Sequence, residues 1–134
     1  MTAELIAHLW GDYVLQTDHM AARKQASKRV ALLHAAEYTA CFLPLTRDPR
    51  ALATIGLTHA AIDHWRLARP AVWATNQASP REHRYPYSES GWHGYPKGKP
   101  EWLAGWLLII QDNAAHLAIN HWALRHWGRG DTIQ

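Results

Sequence analysis

At 134 residues the chain has the length of one ordinary domain, enough for a sizeable core but short for two. Its formal charge of +3 permits anionic ligands without demanding nucleic acid, and its 10 histidines leave room for more positive charge in mild acid. The single cysteine, Cys41, excludes an intramolecular disulfide and a thiolate-rich zinc site, so any metal must be held by nitrogen and oxygen.

The first helix is expected to start at a Thr2 cap and run to about Gln16. Thr17 or Asp18 then caps a short continuation through Lys24, with a bend near residue 17. Glu4, His8 and Asp12 interrupt this stretch where a secretion signal needs basic and then unbroken apolar residues, so the expected location is cytoplasmic. Ser27 caps a second helix that Pro44 closes, and the Asp48–Pro49 pair opens a third, expected to stop before Pro70. From about residue 76 to 99 proline, glycine and polar residues replace periodicity, which predicts a long irregular loop of the kind that serves as a lid. Pro100 and Glu101 open a fourth helix ending near Gly128, with the last six residues expected to fray. Its apolar stretch WLAGWLLII, 102–110, falls well below the roughly 18 residues needed to span a bilayer, although tryptophan-rich interfacial contact stays open. The expected fold is a single all-α domain, 1–134, built as a four-helix antiparallel bundle with one long loop between its third and fourth helices.

Each helix carries polar residues one turn apart within an apolar face. The first has His8 and Asp12, the second His34 with Glu37 or Tyr38, the third His59 and Asp63, and the fourth Asp112 and His116. Burying so many ionisable groups without compensation costs several kcal/mol each, and a shared metal compensates them. Four His and three Asp suffice for two divalent ions, of which Zn, Mn, Fe, Ni and Mg suit such ligands. Asn113 and Asn120 read as hydrogen-bond partners between helices, while His19, His64, His121 and His126 read as exposed or supporting residues. Trp10, Trp65, Trp102, Trp106, Trp122 and Trp127 are expected to pack in the core or at a homodimer interface.

The segments HLWGDYVLQTDHMAARK, LLHAAEY, THAAIDH and QDNAAHL together resemble an uncharacterised family of small helical bacterial and phage proteins, known mainly as a domain of unknown function. The family's opening signature falls on His8, Asp12, Tyr13, Leu15, Gln16, Met20, Ala21 and Lys24. Looser matches fall on His34, on His59 with Asp63, and on Asp112 with His116, where Gln111–Asp112 reverses the family's Asp–Gln order. The resemblance covers most of the chain outside 76–99. It implies a shared site and a phage or mobile-element origin, without an established reaction.

The chemistry of the residues then points to a metal-dependent hydrolase acting on a phosphoester, a nucleotide or cyclic nucleotide in particular. His8, Asp12, His59, Asp63, Asp112 and His116 are the expected metal ligands. His34 is expected as a further ligand or as an acid/base, with Asp63 as the other catalytic group, and Gln16, Glu37 and Asn113 would orient the ligands from behind. Arg81, Arg84, Tyr85, Trp92, His93 and Lys97 of the loop would neutralise phosphate and stack on a base. The alternative is a non-catalytic sponge that captures a nucleotide against host signalling.

Overall fold

The computed structural model describes residues 3–128, so the Thr2 cap and the six C-terminal residues expected to fray lie outside the described residues. Among them the chain is all-helical, with six α-helices where four were expected: α1 (Ala3–Leu9), α2 (Asp18–Arg23), α3 (Lys28–Ala40), α4 (Pro49–Trp65), α5 (Ala68–Asn76) and α6 (Glu101–Trp127). It divides into two compact units, Met1–Trp65 with His116–Gln134, and Arg66–Ala115.

In the first unit, α1 ends earlier than expected. A π-helical turn, Trp10–Val14, continues it and closes with Leu15 N donating to Trp10 O at 2.9 Å. The chain then breaks, and Thr17 rather than Asp18 caps α2 by accepting from Met20 N. Ser27 caps α3 as expected, accepting from Val30 N. Helix α3 packs on α4, on the π turn and on α2. Ala7, Tyr38, Phe42, Ile55 and Ala123 form the buried centre of this unit, with Leu45, Leu52, Leu124 and Trp127 packed around them. Gly11 makes the contact between the π turn and α3 possible. A Cβ there would lie 2.6 Å from Tyr38 Cδ2 and 3.1 Å from Tyr38 Cα.

The second unit begins with Arg66 in a left-handed conformation, φ 51°, which ends helical continuity after α4. The expected stop before Pro70 is misplaced, because Pro70 lies inside α5. It is the third residue of that helix, where the missing N–H has no intrahelical acceptor to lose. The irregular segment after α5 contains two short 3₁₀ turns, Arg81–His83 and Tyr87–Glu89, and an isolated bridge between Ser90 and Pro96. Val72, Tyr95 and Ala104 form the unit's core. Gly94, at φ 85°, sits so close to α5 that a Cβ would lie 2.4 Å from Arg69 O.

Of the two places expected for the tryptophans, the core of the chain takes few. Trp10, Trp65, Trp102, Trp106 and Trp122 are each more than half exposed, and of the six only Trp127 packs against the core. Small residues such as Ala7, Ala35, Ala51 and Ala104 fill the buried positions instead. No helix among the described residues is long and apolar enough to cross a membrane.

Candidate metal centre

The first unit converges four ligand-type side chains. Asp12 comes from the π turn, His34 from α3, and His59 and Asp63 from successive turns of α4. All four are buried, the two histidines completely. His34 Nε2 lies 3.3 Å from Asp12 Oδ1 and 3.4 Å from Asp63 Oδ2. His59 Nε2 lies 3.5 Å and 3.2 Å from the same two oxygens. Ligands bonded at about 2.0–2.2 Å to one ion stand roughly 2.8–3.1 Å apart at octahedral angles and roughly 3.3–3.6 Å apart at tetrahedral ones. Each of these nitrogens stands from each oxygen at close to the tetrahedral spacing, and all four atoms lie within 4.8 Å of one another, so the group could hold a metal ion.

The hydrogen bonding of the histidines agrees with that arrangement. His34 Nδ1 and both nitrogens of His59 are buried without a hydrogen-bond partner among the described residues. His59 is fixed by packing instead, its ring stacked on Tyr38 at 3.7 Å between centroids and 12° between planes. The fully buried Tyr38 hydroxyl accepts from Asn120 Nδ2 at 2.5 Å, which leaves its proton for His8 Nδ1 at 2.7 Å. His8 therefore sits behind the group, tied to Tyr38 and 3.5 Å from Asp12 Oδ2.

Electrostatics sharpen the division of roles. Burial alone would raise the Asp12 and Asp63 pKa values. For Asp12 the His34 hydrogen bond and the nearby His59 outweigh it, and for Asp63 the His34 and His59 rings and the Lys24 ammonium do. Both carboxyls are thus held ionised, below their ordinary range. Burial opposes charge on both histidines, but Asp12 and Asp63 overcome it at His34 and raise its pKa, whereas His59 remains below its ordinary value. A neutral His59 facing two carboxylates is in the protonation state a metal requires.

The other expected site residues lie outside this four-residue group. His116 is buried in the first unit with its ring 4.5 Å from that of His59. Asp112 precedes it by one turn on α6, in the Arg66–Ala115 unit. Glu37 lies on α3 outside the four-residue group, and Asn113 donates to Ile109 O within its own helix. Asn120, by contrast, does bridge helices through Tyr38. Of the loop residues, Arg81, Arg84, Trp92 and Lys97 are exposed. Tyr85 and His93 are buried in the second unit, where Tyr85 Oη donates to Gly94 O and His93 Nδ1 accepts from Tyr95 N. His64 is partly buried and bonds Lys24 O, while His19, His121 and His126 are exposed.

Sequence reasoning did not place Lys24 in the site. Its Nζ lies 2.7 Å from Asp63 Oδ2 and donates to Gln16 Oε1 at 2.7 Å, so Gln16 reaches the carboxylate through this ammonium. The available signal was positional, since Lys24 closes the opening signature that begins at His8.

Fold and site define an all-helical protein with a buried His/Asp group able to hold a metal ion. The chain belongs to the family described as Protein of unknown function (DUF3307), which it matches over residues 1–87. That span contains Asp12, Lys24, His34, His59 and Asp63, and it ends before Asp112 and His116. No curated protein matches the chain, and no solved structure does.

Proposed function

We propose that this protein is a metal-dependent hydrolase of phosphoesters, with nucleotides or cyclic nucleotides as the substrate class. The observation that carries the reading is the 3.2–3.5 Å separation of each of two imidazole nitrogens from each of two carboxylate oxygens at a buried point. Four such ligands would close a tetrahedral site, which is a structural arrangement, whereas a six-coordinate ion keeps two positions for water and substrate. The ligand set suits Mn, Fe, Ni, Mg or a zinc that expands to five-coordination, each of which leaves a position for water. The ion would lower the pKa of its water and polarise the phosphoryl oxygen. Asp12, His34, His59 and Asp63 hold it, and a second ion would draw on His8 and His116. Four helical segments around the site, as in an antiparallel bundle, would keep the ligands in place.

The test is metal analysis of protein purified without chelator or affinity nickel, followed by assay of nucleotides and cyclic nucleotides with each ion. One tightly held equivalent and metal-dependent turnover are expected; two equivalents would mark the two-ion form. Nucleotide retained but released intact would identify a sponge, and failure to hold any divalent ion would defeat the hydrolase reading. The exposed tryptophans support a homodimer, for which sedimentation velocity should show a concentration-dependent species of twice the monomer mass.

A further inference from the structure

We infer that Lys24 receives the anionic oxygen of the substrate, which makes an oxyanion such as a phosphoryl group the ligand class of the open coordination position. This inference rests on the metal-binding reading above. Lys24 Nζ is held 2.7 Å from Asp63 Oδ2, the same oxygen that faces His34 Nε2 and His59 Nε2. A divalent ion in the group takes that oxygen, and an ammonium and a dication on one carboxylate oxygen repel strongly at so short a distance. Lys24 must then give up that oxygen.

It cannot withdraw far. Gln16 Oε1 accepts from its Nζ, and the Lys24 carbonyl is 3.0 Å from His64 Nδ1 on α4. Thr17 caps the short helix that Lys24 terminates. The side chain is only 15% exposed where it meets Asp63, so an ammonium that yields this oxygen to the ion remains beside the site with its charge only partly compensated. An ammonium so placed needs an anion. A ligand on the ion's open position with a negative oxygen meets that need. Lysine suits the task because a compact charge with three rotatable donors can follow a single phosphoryl oxygen, whereas a guanidinium fork demands two. Asp63 is thus shared in turn, by Lys24 before the ion binds and by the ion afterwards.

The test uses manganese(II) and inorganic phosphate as probes, with calorimetric titration of full-length wild type, Lys24→Met and Lys24→Arg. Wild type should bind phosphate only when loaded with manganese. Lys24→Met should bind manganese as tightly or more tightly, since a competing cation is gone, while losing about tenfold or more in phosphate affinity. Lys24→Arg, which keeps the charge but not the compact head group, should recover only part of that loss. If Lys24→Met does not fold, judged by far-UV circular dichroism, Lys24→Gln carries the same comparison. Equal phosphate affinity in wild type and Lys24→Met, or weaker manganese binding in Lys24→Met, would show that Lys24 only supports Asp63 and overturn the inference. Absence of manganese binding to wild type would instead remove the metal reading itself.

Discussion

At the scale of single residues, Asp63 ties the proposed metal site to the stability of the fold. Asp63 is ion-paired to the nearly buried Lys24 and held ionised by His34 and His59. Asp63→Ala should destabilise the metal-free protein by about 3–5 kcal/mol, because it strands a desolvated ammonium. Combining it with Lys24→Met should recover much of that loss, as chemical denaturation would report. Metal binding should be absent in both variants; an Asp63→Ala protein that still holds its ion would contradict the proposed ligand set. Tyr38→Phe probes the other side of the group. It removes the hydroxyl that joins His8 and Asn120 while keeping the ring stacked on His59, and should cost roughly 1–3 kcal/mol without abolishing metal binding.

At the scale of elements, the π turn does the positioning. Trp10–Val14 carries Asp12 at the point where Gly11 lets the backbone close on Tyr38. Gly11→Ala would force the new methyl against the Tyr38 ring and its backbone, with an expected loss of about 1–3 kcal/mol from overpacking. The same displacement should weaken metal binding more than Tyr38→Phe does, which titration of both variants would show. Much of the arrangement was legible before any coordinates. The one-turn spacing of His8 with Asp12 and of His59 with Asp63 marked the polar faces, and His34 completed the group. The π turn was not legible, since its hydrogen bonds require one residue more per turn and depend on the close approach to α3. Pro70 misled for a definite reason: proline breaks a helix interior but fits a first turn, and the break came instead from the left-handed Arg66. Lys24 was hidden because its partners, Gln16 and Asp63, lie 8 and 39 positions away, beyond any helical period.

At the scale of the whole molecule, pH and metal should act against each other. His34 has a raised pKa, so its stabilisation of the metal-free protein is full below about pH 6.5 and lost as pH rises through the folded value. Asp12 and Asp63 have lowered values, so their contribution is present above the ordinary carboxylate range and lost as pH falls through the folded ones. His59 works against His34, since its lowered pKa disfavours the folded state below about pH 6.5. A bound ion requires His34 to be neutral. The gain in melting temperature on adding metal should therefore grow from about pH 6 to pH 8, and a gain that shrinks over that range would contradict the ligand role of His34. At free metal 100 times the dissociation constant the stabilisation should approach about 2.7 kcal/mol, and chelation should remove it.

The stacked but unbonded His59 ring has a consequence inside a cell. An ion in the proposed site would engage Nε2 of this buried imidazole, and the newly made chain would then gain stability from metal supply. A shift of 1–2 kcal/mol in folding equilibrium changes steady-state protein levels several-fold through proteolytic turnover. Abundance of this protein should then fall when cells are starved of the ion and recover on repletion, so that quality control reports the occupancy of the site. His59→Phe, whose ring can keep the stack on Tyr38 without nitrogens to satisfy, should uncouple abundance from metal.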